Sequence, residues 1–284
     1  MKKLLISAEN AEFQIIESLK TNRSRRAKNR EIFIEGIESI KQVFKSGFEI
    51  SRIITTDRRS SWAEGIIEQY GSSVNPGPKI IEMSDDLYRK LCDRNDPSEM
   101  LVTAKIPETS ERSLKAAVGS QQAADGSMSI DPFILVLDRP SDTGNLGSII
   151  RSANAFGIDR VLLIGHGVDP WDPKTIRASL GSIFFTVPLQ LDSLNELNEY
   201  IAELKARCSL KVWGTDSQGS SSLTGTILKR PLVLILGNEA RGMSVALKAL
   251  CDGIISIPVS GTVNSLNLAC AAGIFMWEVY ENSG

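Results

Sequence analysis

Histidine is almost missing from this chain. His166 is the single one in 284 residues, and the four cysteines, Cys92, Cys208, Cys251 and Cys270, are scattered with no CxxC pair. Zinc sites need Cys and His at close spacings, so no metal centre is expected, and the cysteines read as reduced residues packed like small hydrophobes. Long apolar runs are lacking too. No stretch approaches the roughly 18 residues that span a membrane, and MKKLLIS offers only a short apolar run before Ser7 and Glu9, too short for a signal-peptide core. A cytoplasmic protein with no membrane or metal partner is expected. Nor is there an excess of charge of either sign: a formal net charge of −2 exerts no global pull on a polyanion. Nucleic-acid binding would have to come from locally concentrated Lys and Arg. Lys20, Arg23, Arg25, Arg26, Lys28 and Arg30 form such a concentration, within eleven residues that contain no acid.

What is present is enough material for two ordinary globular domains, with 42% hydrophobic and 23% charged residues. Between Glu31 and Ile106 short β-rich runs (IFIE, ISRIITT, KIIEM, MLVTAKI) alternate with amphipathic stretches (IESIKQVFKSG, SWAEGIIEQYG, DDLYRKLC). That alternation predicts a small α/β domain over residues 1–107. Residues 108–131, rich in Ser, Ala, Gln and Gly, read as a linker with one helical turn around Leu114. Over 132–284 the runs FILVLD, RVLLIG, KVWGT, LVLILG and GIISIP are nearly continuous in apolar residues, as expected of central parallel strands covered on both faces.

Three stretches of this second half join such a run to a loop of Gly, Asn, Ser or Pro and then to a helix start: 135–157, 232–244 and 255–278. Ligands of open α/β sheets bind outside the carboxyl ends of strands, so polar residues there are candidates for function. In the first, SDTGNLGSIIRSANAFG offers Asn145 and Arg151; the plainer alternative is that Asn145 caps a helix and Arg151 lies on a solvated face. The second, LILGNEARGMS, places Asn238, Glu239 and Arg241 directly after Gly237, with a Glu239–Arg241 surface pair as the plain alternative. In the third, ISIPVSGTVNSLNLACAAG, Asn264 or Ser265 suits a helix N-cap, and the small residues beyond allow close helix packing. Neither a dinucleotide fingerprint nor the lysine of a P-loop is present, which argues against a Rossmann-type nucleotide-binding protein.

Together and in this order, the three stretches resemble the signature motifs of the SpoU (TrmH-like) branch of the SPOUT RNA methyltransferases, over nearly all of residues 133–281. KTNRSRRAKNREIFIEGIESIKQVFKSG is similar to the start of the L30e-like substrate-binding domain often fused in front. The resemblance implies an α/β fold with a trefoil-knotted parallel-sheet catalytic domain, a homodimer, S-adenosylmethionine as cofactor, and methyl transfer to a ribose 2′-hydroxyl of structured RNA. Ribosomal RNA is expected ahead of tRNA. It assigns main-chain contacts to the cofactor to Gly237, Ile257 and Leu266, with Thr215 beside it. Asn145, Arg151, Glu239, Ser265 and Asn267 match the polar catalytic positions, with Glu239 orienting Asn145 or Arg151 and Arg151 clamping the substrate. Ala240 stands where the commonest form of the second motif has Gly. Arg23, Arg25, Arg26, Lys28 and Arg30 become a candidate RNA arm, contributing salt-sensitive backbone contacts. Alternatives left open are a noncatalytic RNA-binding or ribosome-assembly protein and a tRNA-directed or antibiotic-resistance methyltransferase.

Overall fold

A computed structural model of the chain describes residues 3–73, 77–93, 97–108, 120–122, 128–262 and 264–283. It resolves into two compact units, the first Met1–Glu108 with Asp169–Phe184 and the second Thr109–Val168 with Phe185–Gly284. The contiguous division expected from sequence therefore departs in one stretch, 169–184, which packs with the first unit.

The first unit runs β1 (Lys3–Ile6), α1 (Ala11–Thr21), α2 (Arg23–Asn29), β2 (Glu31–Glu35), α3 (Ile37–Lys45), β3 (Ile50–Thr55), α4 (Ser61–Ser73), β4 (Lys79–Met83), α5 (Asp85–Leu91) and β5 (Met100–Lys105). Its mixed sheet has the order β1-β4-β3-β5-β2, parallel through β1, β4 and β3 and antiparallel at β5. Asn10 starts α1 by accepting from Phe13 N at 3.0 Å. The three- and six-residue spacings of Phe13, Ile16 and Leu19 then turn one face inward, onto Phe33, Ile54, Ile81 and Leu101 of the sheet. Burying each such side chain contributes about 1.5–3 kcal/mol relative to exposure.

The second unit opens with a two-stranded antiparallel ribbon, β6 (Ser120–Gln122) and β7 (Met128–Ile130). The expected linker thus carries β-structure; the helical turn expected around Leu114 lies outside the described residues. There follow along the chain β8 (Phe133–Asp138), α6 (Thr143–Ala155), β9 (Arg160–Ile164), then α7 (Pro173–Ala178), which belongs to the first unit, and after it β10 (Leu189–Leu191), α8 (Leu194–Lys205), β11 (Lys211–Thr215), β12 (Ser221–Ser222), β13 (Leu232–Leu236), α9 (Val245–Lys248), β14 (Gly253–Ser256) and α10 (Leu268–Glu281). Seven strands make one parallel sheet, β10-β9-β8-β13-β11-β14-β12. All five runs read as central strands are its five interior strands. β8 and β13 are buried along their whole length, whereas β14 is only half-buried. Because the sheet is parallel and β8, β13, β11 and β14 are consecutive, the three polar loops leave neighbouring strands at the same, carboxyl, edge.

The 169–184 stretch leaves between β9 and β10 and carries α7 as part of the first unit. Asp172 caps α7 by accepting from Lys174 N at 3.0 Å, with Pro173 in the first turn, where its missing N–H costs nothing. Arg177 donates to Glu35 Oε2 at 2.9 Å, and Phe48 meets the rings of Phe184 and Trp171 at 5.2 and 6.1 Å between centroids.

Candidate active site

β8 ends at Asp138, 3% exposed, whose carboxylate accepts from Arg139 Nε and Nη2 at 2.8 and 2.9 Å and from Ser244 N at 2.9 Å. A carboxylate closing an apolar strand is thereby satisfied, and it ties the first loop to the second. Asn238 adds another tie, donating from Nδ2 to Arg139 O at 2.7 Å. Asp142, not Asn145, caps α6, accepting from Asn145 N at 2.7 Å. Asn145 therefore sits in the first turn with its carboxamide free for other work.

The second loop turns back sharply. A Cβ at Gly237 would lie 2.3 Å from Met243 N, so glycine alone permits the turn. Asn238 and Gly242 exchange backbone bonds of 3.1 and 2.9 Å, and Asn238 Oδ1 accepts from Ala240 N and Arg241 N, both at 3.0 Å. Glu239 and Arg241 ride on this fixed turn and form no ion pair with each other. Glu239 instead accepts at Oε2 from Ser141 Oγ (2.5 Å) and Ser141 N (3.1 Å), and at Oε1 from Asn145 Nδ2 (3.3 Å).

The third loop ends at Asn267, which caps α10 in place of the expected Asn264 or Ser265. Its Oδ1 accepts from Ala269 N at 2.9 Å and Cys270 N at 3.3 Å, while its Nδ2 donates to Asn145 Oδ1 at 2.9 Å. A continuous chain of hydrogen bonds, Ser141 to Glu239 to Asn145 to Asn267, joins all three loops. Each carboxamide has both ends engaged, which fixes its flip.

These loops bound a cleft of about 660 Å³. Asn145, Glu239, Ser265 and Asn267 line it, as do all four positions expected beside a cofactor, Thr215, Gly237, Ile257 and Leu266. Ser265 is exposed and, among the described residues, makes no side-chain hydrogen bond. Arg151 is not brought in: it lies on the exposed face of α6, outside the lining. Burial alone would raise the Glu239 carboxyl, but the hydrogen bonds from Ser141 and Asn145 outweigh it and hold the group below the ordinary glutamate value. Lys248, 2.6 Å away, likewise holds Asp216 low, helped by the bond from Gln218 N. Both carboxylates of the cleft are ionised at neutral pH. Ser141 and Asp138, which organise the first loop, were not legible as site residues; the aspartate ending the apolar run FILVLD was the available signal.

In the first unit, the basic run divides. Arg23, Arg25, Lys28 and Arg30 are exposed, and Arg30 pairs with Glu108 at 2.8 Å. Arg26 must be withdrawn from the RNA arm. It is 3% exposed, with Nε 2.8 Å from Asp169 Oδ2, Nη2 3.3 Å from Asp172 Oδ2, and Nη1 donating to Leu19 O and Lys20 O at 2.9 and 3.0 Å. All its donors face protein.

The sequence pattern of the SpoU rRNA Methylase family matches residues 132–277, and that of the SpoU L30e-like domain matches residues 10–103. The chain is 30% identical to a 23S rRNA (uridine(2479)-2′-O)-methyltransferase of Streptomyces viridochromogenes, over 96% of this chain and 90% of that protein. It is 27% identical to the 23S rRNA (guanosine(2553)-2′-O)-methyltransferase RlmP of Bacillus subtilis, over 98% and 99%. Among solved structures, the SpoU methyltransferase AviRb from Streptomyces viridochromogenes in complex with AdoMet superposes with a TM-score of 0.83 at 29% identity, covering 96% of this chain and 98% of that one. With both sequence patterns matched in order and relatives aligned nearly end to end, the chain belongs to the SpoU rRNA methylase family and carries its L30e-like domain in front.

Proposed function

We propose that this protein is an S-adenosylmethionine-dependent RNA 2′-O-ribose methyltransferase acting on ribosomal RNA in the cytoplasm. The observation that carries the reading is the hydrogen-bond chain through Glu239, Asn145 and Asn267, which gathers the three motif loops around one cleft. The named relatives that align over nearly the whole chain are 23S rRNA 2′-O-methyltransferases, which favours ribosomal RNA over tRNA.

The cleft fits the cofactor by size and lining. Its volume lies within the range of small-molecule sites, and apolar Leu236, Ile255, Ile257 and Phe275 face polar Thr215 and Asp216, as a ligand with an adenine and a hydroxylated ribose requires. Gly237, Ile257 and Leu266 would hold it through main-chain groups. When bound, it supplies a methyl already activated by a sulfonium. The chain's own residues then have to align the ribose hydroxyl and exclude water. Asn145, locked by Glu239 and Asn267, offers a preset carboxamide at the mouth of the cleft. Glu239 acts as the ionised acceptor that orients it, and Ser265 and Asn267 complete the frame. Arg151, on the exposed face of α6, keeps an outer role, meeting substrate phosphate from outside the cleft. A guanidinium with a pKa above about 12 serves there as a clamp, not a base.

The reading includes a homodimer and a knotted C-terminal unit. Support for the dimer comes from α10, where Trp277 and Tyr280 are 51% and 55% exposed and form an aromatic cluster with Phe156. Support for the knot comes from the strand order, with β13 and β11 set between β8 and β14.

The test is transfer of labelled methyl from S-adenosylmethionine to in-vitro-transcribed 23S rRNA, followed by digestion to nucleosides. A 2′-O-methyl nucleoside, lost in Asn145→Ala, is expected. Cofactor binding without transfer to ribosomal RNA in any assembly state would favour a noncatalytic scaffold.

A further inference from the structure

Among the described residues, Arg241 is the one lysine or arginine in the cleft lining, and its side chain is exposed and makes no hydrogen bond or ion pair with any of them. Carboxylates are close in sequence and in the same lining, yet each is already engaged. Glu239, two residues away, gives Oε2 to Ser141 and Oε1 to Asn145, and Asp216 lies 2.6 Å from Lys248 Nζ. The stem beneath Arg241 is fixed, since its own N–H donates to Asn238 Oδ1 and the turn closes through the Asn238–Gly242 pair. A charged fork with no internal partner, held on a rigid turn at a ligand cleft, is arranged to receive an anion from the ligand.

Two anions would be present during the reaction, the carboxylate of the cofactor and the phosphodiesters of the RNA. We propose that Arg241 anchors the phosphodiester next to the ribose that is methylated; this rests on the 2′-O-methyl transfer reading above. Two observations favour the phosphodiester. The side chain is exposed at the cleft and so accessible to a polynucleotide, whereas the positions assigned to the cofactor act through main-chain groups of Gly237, Ile257 and Leu266. Arg241 also shares its turn with Glu239, which is bonded to Asn145 and so belongs to the frame at which the 2′-hydroxyl is positioned. A ribose held there carries its 3′-phosphate on the adjacent carbon, within reach of an arginine on the same turn. Geometry of this kind suits a bidentate fork better than a point charge.

The experiment uses the full chain as wild type, Arg241→Ala and Arg241→Lys, with Arg207→Ala as an exposed control outside the cleft. Cofactor affinity is measured by calorimetry with S-adenosylmethionine, and RNA affinity by filter binding to in-vitro-transcribed 23S rRNA across a salt series. For Arg241→Ala the expected result is cofactor affinity within twofold of wild type, RNA binding weakened roughly three- to tenfold at low salt, and a log–log salt slope reduced by about one. Arg241→Lys should restore the slope while binding RNA less tightly than wild type, because the charge returns without the fork. Loss of cofactor affinity with an unchanged RNA slope would overturn the proposal and assign the guanidinium to the carboxylate. An unchanged slope with unchanged cofactor binding, or an equal drop in Arg207→Ala, would overturn it as well. Methyl transfer is scored separately, so a wild type that binds RNA and transfers nothing counts against the reaction and not against the anchor.

Discussion

The two units treat charge in opposite ways. Among the described residues, the first unit buries Arg26, Glu31, Glu35 and Arg52, and the second buries Asp138 alone. In the first unit Arg52 pairs with both Glu12 and Glu31, Lys105 reaches Glu31, and Arg177 reaches Glu35, so the ends of β2 and the base of α7 are fixed by directional bonds. Such pairs add little net stability over apolar packing but tolerate few alternative arrangements. In the second unit the sheet interior is apolar, and polar groups are gathered at the carboxyl edge, with Glu239, Asn145 and Asn267 all at the cleft. Buried charge specifies shape in the first unit, whereas the core of the second is apolar but for Asp138 and its polar frame lines the cleft.

On that contrast, breaking a buried ion pair should destabilise the first unit, and removing a polar group of the cleft frame should inactivate the second. Arg26→Ala leaves Asp169 and Asp172 without their cation and should lower stability by about 3–5 kcal/mol, read from urea unfolding; a loss under about 1 kcal/mol would break the comparison. Asn145→Ala, in the exposed frame, should cut kcat by about 10²–10³ while moving the unfolding midpoint by no more than about 0.5 kcal/mol. Acidification tests the ion pairs of the first unit. Burial would raise Glu12 and Glu31, but Arg52, with Lys79 beside Glu12 and with Thr103 and Lys105 beside Glu31, brings both below the ordinary glutamate value. A depressed folded-state value stabilises above the unfolded value of about 4.3 and is lost as pH falls through it and on to the folded value. Trp62 and Trp171 should therefore report loss of first-unit stability as pH falls below about 4.3, read with Trp213 and Trp277 replaced by Phe. The smallest effect sharpens the second unit: Ser141→Ala removes the strongest bond to Glu239, so its carboxyl should titrate at higher pH and the acid limb of kcat/KM should move up, with stability unchanged.

The interior of the parallel sheet was readable because a strand covered on both faces must be apolar throughout, as FILVLD and LVLILG are. The edge strands Leu189–Leu191 and Ser221–Ser222 were not, being too short to leave a pattern. The three loops were readable as a group, but their caps were misplaced: Asp142 and Asn145, or Asn264, Ser265 and Asn267, are all fit for an N-cap, and tertiary packing of the helix face chooses among them. Arg26 failed for a related reason. Its partners Asp169 and Asp172 lie more than 140 positions along the chain, beyond any local pattern, so a residue facing inward was read as one of a basic cluster.

The placement of α7 also orders events during synthesis. When Glu108 has been made, the first unit still lacks Asp169–Phe184, and with it the carboxylates for Arg26 and the cation for Glu35. At about 5–20 residues per second, roughly 4–15 s of translation separate the two points. Until Phe184 leaves the ribosome, Arg26 lacks its two carboxylate partners, and completion of the first unit is timed by a segment encoded in the middle of the catalytic half.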